Sequence, residues 1–204
     1  YVTSGDAADH ARVAKWGVTV TAHGTGDVFA KEYDAVAGQD NTVIAGGEYK
    51  VIAPGTKKEN ATLVTLSGQP EVAVNVTYSA EHFNLTGNWA SDDAGTFYCP
   101  LIITVGDTVI KCAEKTSADD VKTAVKTAVA ACSATYGPNT DLSAAAVANE
   151  GLKISWEWPF EGTDNPGQTD EKDTYLGNQA TKTATPEILP SIYIPVTATV
   201  TQID

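Results

Sequence analysis

The chain has 204 residues and a formal net charge of −13, from 13 basic and 26 acidic residues. Binding to nucleic-acid phosphates requires clustered Lys and Arg that release counterions, so this balance argues against a nucleic-acid partner. It also disfavours attachment to anionic lipid headgroups. The apolar content of 42% suffices for a buried core. No apolar run approaches the roughly 18 to 20 residues that a membrane helix needs.

The sequence contains no Met, even at position 1. We therefore expect Tyr1 to be a processed or engineered start, and a cleaved export signal is the simplest explanation. Three Asn-x-Thr sequons, at Asn60, Asn75 and Asn84, are candidate glycosylation sites and fit export. These features together predict a secreted protein.

Four segments alternate apolar and polar residues, which is typical of half-buried strands because successive side chains point to opposite faces. They are Trp16 to Ala22, Val72 to Ala80, Leu152 to Trp158 and Ile192 to Val200. One buried face and one solvated face are typical of antiparallel sheets stacked as a sandwich. The alternation places Asn75 on the outward face, where a glycan would fit.

Weaker strand patterns fill the gaps between these segments. They cover Glu48 to Ile52, Thr62 to Leu66 and a hairpin from Phe97 to Cys112. The Gly106-Asp107 pair supplies the hairpin turn, since Gly accepts the positive φ that tight hairpins require. Seven or more strands at this spacing predict an all-β protein with an antiparallel β-sandwich.

One segment, from Ser117, has helical spacing instead. Its apolar stripe consists of Val121, Val125, Ala128, Val129 and Cys132. Ser117 with the following acidic residues suits a helix N-terminus, and Tyr136-Gly137-Pro138 suits its end. We expect one inserted helix, about residues 117 to 134, lying over the edge or end of the sandwich. Residues 173 to 178 are expected to add one helical turn.

Motifs for catalysis or metal binding are missing from the sequence. His10, His23 and His82 stand alone, without the spacing of a zinc site, and there is no nucleophile elbow or phosphate loop. We therefore expect no enzyme activity, no metal and no cofactor. An acidic loop could offer calcium ligands, but its spacing matches no known calcium loop, and a solvated loop is favoured. Its acidic residues are Asp164, Asp170, Glu171 and Asp173.

Three cysteines leave one unpaired in any intramolecular disulfide. Direct pairing of Cys99 with Cys112 across the hairpin would also pair Leu101 with Ile110 and Ile103 with Thr108, and keeps one face mainly apolar. Cys132 is harder to reach from Cys112. The helix carries Cys132 about 22 Å from Ser117, whereas the five linker residues between Cys112 and the helix span at most roughly 17 Å. A bridge from Cys112 to Cys132 would therefore require the linker to run straight back along the helix. We predict a disulfide between Cys99 and Cys112, with Cys132 buried or intermolecular.

Three stretches together resemble the secreted biofilm matrix proteins of the TasA/camelysin type. The first is ARVAKWGVTVTA (Ala11 to Ala22), and the second combines APGT (Ala53 to Thr56) with SGQPEVAVNVTY (Ser67 to Tyr78). The third is the C-terminal block with ISWEWPFEGTDN, DTYLGNQA and VTATVTQID, between Ile154 and Asp204. The resemblance implies a jelly-roll-like β-sandwich that is exported and polymerises into extracellular fibres. Some relatives are described as metalloproteases, but no position here matches a zinc motif.

In such fibres the N-terminal segment of one subunit inserts as a strand into the sheet of its neighbour, which the resemblance implies here for residues 1–11. Residues 12–204 would then form a single sandwich domain. The expected donor positions are Val2, Thr3, Ser4, Ala7 and Ala8. Val2 and Ala8 share a strand face under the period-two rule. The partner is a second copy of the chain, with other filaments or matrix components as further candidates.

The alternative is a monomeric surface-layer, adhesin or carbohydrate-binding module. Trp156 and Trp158 share a strand face with Leu152 and Ile154, so they are expected in the core. Trp89, in a loop-like stretch, is then the candidate for sugar contact, together with the acidic loop. The same N-terminal residues would in that case be a frayed terminus.

Overall fold

The computed structural model describes residues 8–22, 28–35, 40–144, 152–160, 165–181 and 189–203. Strands account for 33% of it and helices for 16%, so the protein is mostly β, in several antiparallel sheets. The elements in chain order are β1 (Thr19–Ala22), β2 (Glu32–Tyr33), β3 (Val43–Ile44), β4 (Lys57–Thr62), β5 (Val64–Ser67), β6 (Val74–Ser79), β7 (Asn84–Thr86), β8 (Ile102–Val105), β9 (Thr108–Lys111), α1 (Ala118–Ala131), β10 (Ala134–Tyr136), β11 (Lys153–Glu157), α2 (Asp170–Gln179), β12 (Ser191–Tyr193) and β13 (Thr197–Gln202).

The largest described sheet has four strands in the order β4-β11-β8-β9. Its central strand, β11, confirms the predicted segment, and Ile154 and Trp156 on its inward face are buried. Strands β8 and β9 form the predicted hairpin around Gly106-Asp107, where Gly106 has a φ of 55°. A positive φ at the first turn residue alone matches the type II′ turn, whose twist fits that of the flanking strands.

The predicted register of this hairpin was wrong by two residues. A two-residue turn places Val105 opposite Thr108, and the ladder then pairs Ile103 with Ile110. Side-chain alternation has a period of two, so this shift keeps the same residues on the buried face. That is why the apolar pattern alone could not separate the two registers.

A three-stranded sheet in the order β10-β6-β13 packs against the same core. Its central strand confirms the predicted alternation, since Val74, Val76 and Tyr78 are buried. Asn75 lies on the opposite face, as expected, but it is half-buried because Thr135 and Thr201 pair with it from the two neighbouring strands.

Helix α1 covers strands β6 to β9 with its apolar stripe. The Ser117 hydroxyl oxygen accepts a hydrogen bond from the Asp120 N–H at 3.1 Å, which confirms the predicted cap. The helix ends at Ala131, however, and not at residue 134. Ala134–Tyr136 instead form β10, because the edge of β6 offers them a ladder of hydrogen bonds.

The predicted C-terminal strand is divided between two sheets. β12 pairs with β7, whereas β13 pairs with β6, and Pro195 lies in the interval between them. Proline has no N–H to donate to a ladder, so a single continuous strand was wrong here. The division places Ile194 in the core and leaves β12 in a separate two-stranded sheet with β7.

Four further segments differ from expectation. Thr62 to Leu66 is split, with Leu63 between β4 and β5, and Glu48 to Ile52 makes only an isolated bridge, from Val51 to Ala30. The first strand starts at Thr19 instead of Trp16, and all four of its residues are exposed. The acidic loop contains α2, a ten-residue helix capped by the Thr169 side chain, which accepts from the Lys172 N–H.

Neither helix in the described part of the chain is long and apolar enough to cross a membrane.

Candidate assembly groove

An apolar groove of about 610 Å³ runs along β12. Its lining comes from four parts of the chain: Val28 and Phe29, residues 48–52 with Leu63, Ala180 at the end of α2, and residues 189–194. Val28, Leu63 and Ile194 are buried beneath it, whereas Tyr49 and Tyr193 are 77% and 54% exposed. The groove therefore combines an apolar floor with two tyrosines open to solvent.

Buried tryptophans hold both walls of the groove. Trp156 donates from Nε1 to the Val28 carbonyl at 2.7 Å, and its ring packs against Phe29 at 5.2 Å between centroids. On the other wall, Trp89 donates from Nε1 to the Ser191 carbonyl at 3.2 Å. Because both contacts reach main-chain carbonyls, they hold the backbone of each wall in place.

The structure corrects the role expected for Trp89. Its side chain is only 5% exposed, and Nε1 also donates to the Thr86 carbonyl at 3.0 Å. Trp89 thus joins β12 to β7 and presents no sugar-binding surface. The sequence signal was misleading because a loop-like stretch can still carry a core residue when tertiary packing covers it.

Strand β12 has one paired edge and one unpaired edge in the described structure. β7 is its single strand neighbour there, with Ile192 opposite Leu85. Residues 48–52, on the other side of the groove, make a single β-bridge among the described residues, from Val51 to Ala30, and Glu48 also pairs with Lys31 at 3.1 Å. An edge strand beside an apolar groove offers unpaired main-chain groups and buried pockets to an incoming strand.

The predicted donor positions lie almost entirely outside the described residues, which include Ala8 but not Val2, Thr3, Ser4 or Ala7. Ala8 is exposed and belongs to no strand. From residue 8 to Val18 the described chain runs without strand or helix, and this N-terminal arm carries Val13, 90% exposed, and Trp16, 40% exposed.

Glu71 fastens the arm to the domain. Its carboxylate accepts two hydrogen bonds from the Arg12 guanidinium, at 2.5 and 2.6 Å, and one from the Lys15 N–H at 2.8 Å. The hydrogen bond from Arg12 is the chief reason that the pKa of Glu71 falls to about 2. Gly68 adds a close approach: a Cβ there would collide with the Gly17 carbonyl, and its φ is 113°. The arm therefore leaves the domain from a defined point near Arg12.

The acidic loop has a structural role in the part that is described, and Asp164 lies outside that part. Asp170 and Glu171 are exposed in the first turn of α2, where carboxylates face the positive end of the helix dipole. Asp173 is buried and accepts from the Tyr98 hydroxyl at 2.5 Å and from Gln168 Nε2 at 2.8 Å. Burial and this hydrogen bond raise the pKa of Tyr98.

Calcium or zinc binding gains no support from the described residues. They contain no group of three His, Cys, Asp or Glu side chains that could hold a metal ion. Both oxygens of Asp173 already accept hydrogen bonds, and His10 and His82 are exposed, while His23 lies outside the description.

The three sequons differ in their surroundings. Asn60 is exposed on edge strand β4, with a left-handed φ of 52° beside the bulge in the β4–β11 ladder. Asn84 is exposed on β7, whereas Asn75 is half-buried in a central strand. Asn60 and Asn84 are therefore the sequons that the fold leaves open to a glycan.

The cysteines of the hairpin lie together. Cys99 and Cys112 are fully buried, Cys132 is half-buried, and all three are free thiols in the structure. The predicted disulfide between Cys99 and Cys112 thus remains a prediction, now on a corrected register.

Comparison with protein-family models, curated protein sequences and solved structures returned no match. The likeness to TasA/camelysin-type matrix proteins therefore stays a resemblance based on the residues that carry it.

Proposed function

We propose that the chain is a structural subunit of an extracellular fibre that polymerises head-to-tail by donor-strand complementation. The observation that carries the proposal is the apolar groove beside the edge of β12 that has no strand partner among the described residues, in a chain whose N-terminal arm is exposed. In this assembly, the first residues of one subunit occupy the groove of the next and complete a jelly-roll-like β-sandwich.

The groove suits an extended segment of small residues. Residues 48–52 on one wall would span roughly 17 Å as a strand at about 3.3 Å per residue. An added strand would hydrogen-bond to the edge of β12 opposite β7 and place alternate side chains over the apolar floor. The N-terminal sequence supplies Val2 and Ala8 on one face, with the small residues Ser4, Gly5 and Ala7 nearby.

The arm is attached to the domain at a fixed point. The hydrogen bonds of Glu71 hold the arm at Arg12 and Lys15, and the described residues just before this point, 8–11, are exposed. A donor on one surface and an acceptor on another form a heterologous contact, which produces a filament when the rotation between subunits does not close a ring. The two features together favour a polymer over a symmetric dimer.

Complementary variants test the proposal. Removal of residues 1–11 leaves the groove without a donor, whereas Ala180→Trp fills the groove and leaves the donor. We expect fibres in electron micrographs of the unaltered chain and only monomers in sedimentation of each variant. Mixed together, the two variants should form heterodimers and nothing larger, because only one donor and one groove remain usable.

A matched substitution outside the groove provides the control. Ala94 is an exposed turn residue that does not line the groove, and Ala94→Trp should assemble normally. Fibres from the truncated chain would overturn the donor role of residues 1–11. If instead the unaltered chain is a monomer at all concentrations and binds glycans, the alternative surface module is favoured. Trp89 and Asp173, on which that alternative partly relied, are buried.

A further inference from the structure

The N-terminal arm carries apolar side chains that its own subunit leaves exposed. Val13 is almost completely exposed, and the ring of Trp16 is partly exposed. Strand β1, which follows the arm, exposes all four of its residues, including Val20. Large apolar side chains gathered on one exposed segment are typical of a surface that contacts another protein.

Two attachments fix the arm on its own domain. The Glu71 carboxylate accepts hydrogen bonds from the Arg12 guanidinium and the Lys15 N–H, and the Glu71 N–H donates to the Lys15 carbonyl at 2.9 Å. After the arm, the chain enters β1, which pairs with β5 in an antiparallel ladder. Val13 and Trp16 lie between or beside these attachments, so the domain itself determines where their side chains are exposed.

The length of the chain before Arg12 limits where a neighbouring subunit sits. This step rests on the proposed function, in which the donor residues up to Ala8 occupy the groove of the neighbour. From Ala8 to Arg12 the chain spans at most about 14 Å, at roughly 3.5 Å per residue. The neighbour's groove therefore lies close to the point where Glu71 holds the arm. A tether this short brings the two domains into contact and does not act as a flexible linker between them.

We infer that Val13 and Trp16 pack against the rim of the neighbouring copy's groove, where Tyr49 and Tyr193 are exposed. Val13 is at most about 18 Å along the chain from Ala8, so it reaches no farther than the rim. Apolar and aromatic side chains then lie on both sides of the junction, and Trp and Tyr are enriched in the centres of such interfaces.

The arm contact and the donor strand act together. Once the donor strand is in the groove, the arm is held at the rim, so the second contact forms at a high effective concentration. The arm contact alone is too small to join two subunits, because standard protein interfaces involve about 20 to 30 residues on each side. The arm therefore strengthens and orients a junction that the donor strand begins.

Acrylamide quenching of tryptophan fluorescence tests the contact in the unaltered chain. Trp89, Trp156 and Trp158 are buried, so quenching in the monomer reports mainly on Trp16. We expect most of this quenching to be lost when the chain is concentrated from monomer to fibres. Fibres in which Trp16 is quenched as strongly as in the monomer would overturn the inference and leave donor-strand assembly intact. A chain that forms no fibres at any concentration would overturn both.

Matched truncations give a second readout. Trp16→Ala should raise the concentration at which fibres form about tenfold, and Val13→Ala should raise it about fivefold. Val109→Ala makes the same change as Val13→Ala at an exposed residue of β9, outside the arm and the groove, and should leave that concentration unchanged. Urea titration should show that each variant subunit still folds. Equal effects of Val13→Ala and Val109→Ala, or no effect of Trp16→Ala, would contradict the inference.

Discussion

The region around the β8–β9 hairpin and the region around the groove differ in how completely their strands and apolar side chains are covered. Strand β8 lies between β11 and β9, and α1 covers the hairpin, so the side chains of Ile103 and Val105 are completely enclosed. In the groove, β12 and β7 form a two-stranded sheet, and Tyr49 and Tyr193 are largely exposed. The first region has most of its apolar side chains enclosed, whereas the second has an exposed apolar surface and, among the described residues, a strand edge without a strand partner.

Trp156 links the two regions, and its removal should have the largest effect. Trp156→Ala deletes a buried ring from the core and the hydrogen bond that holds Val28 in the groove wall. We expect the free energy of unfolding to fall by about 3 to 5 kcal/mol in urea titrations. Trp16→Ala, at a half-exposed tryptophan of the arm, is the matched control and should cost less than about 1 kcal/mol. Equal losses in both would contradict the role of Trp156.

The buried polar contact between Tyr98 and α2 should come next. Tyr98→Phe leaves one oxygen of the buried Asp173 carboxylate without its donor, at a cost of about 1 to 3 kcal/mol in the free energy of unfolding. Tyr175→Phe removes a hydroxyl that donates to Asp93 in an exposed position, and serves as control with an expected loss under about 0.5 kcal/mol. If the two losses were equal, the buried contact with Asp173 would stabilise the fold no more than an exposed hydrogen bond does.

A substitution at the rim should separate folding from assembly. Tyr193→Ala alters an exposed side chain, so the isolated subunit should change in stability by less than about 0.5 kcal/mol. If the groove receives a donor strand, the concentration at which fibres form should rise about tenfold, the equivalent of about 1.4 kcal/mol of contact energy. Val109→Ala, at an exposed apolar residue of β9, should leave that concentration unchanged. Light scattering at graded concentrations measures the concentration at which fibres form for both variants.

Acid should weaken the attachment of the arm to the domain, and this should be the smallest of the predicted effects. The pKa of Glu71 is about 2 in the folded chain and 4.5 ordinarily, so its contribution is complete above pH 4.5 and is lost as the pH falls toward 2. Quenching of Trp16 fluorescence by acrylamide should increase over this range. Glu71→Gln should abolish the transition, whereas Glu81→Gln, in the surface pair with Lys126, should retain it. A transition that survives in Glu71→Gln would assign it to another group.

Local patterns predicted several elements because short-range physics determines them. The alternation of Val74, Val76 and Tyr78 identified β6, and Ser117 with its following acidic residues marked the start of α1. Gly106-Asp107 located the hairpin turn. Each signal lies within a few residues, so no long-range contact was needed to interpret it.

The candidate groove could not be predicted in this way. It brings residue 28 together with residues 48–52 and 189–194, which are far apart in sequence and meet only through tertiary packing. Trp89 illustrates the same limit, because the contact with Ser191 that buries it crosses 102 positions. A possible signal was Pro195, which interrupts the C-terminal alternation and marks the separation of β12 from β13.

The sequence by itself determined the mostly β class, the main helix and most of the residues that fill the core. These follow from side-chain periodicity, capping and turn chemistry, which act over a few residues. Only the tertiary structure decided the hairpin register, the burial of Trp89, the division of the last strand and the groove beside β12. A shift by two residues or a change of sheet leaves the apolar pattern intact, so only packing between distant segments can choose among such arrangements.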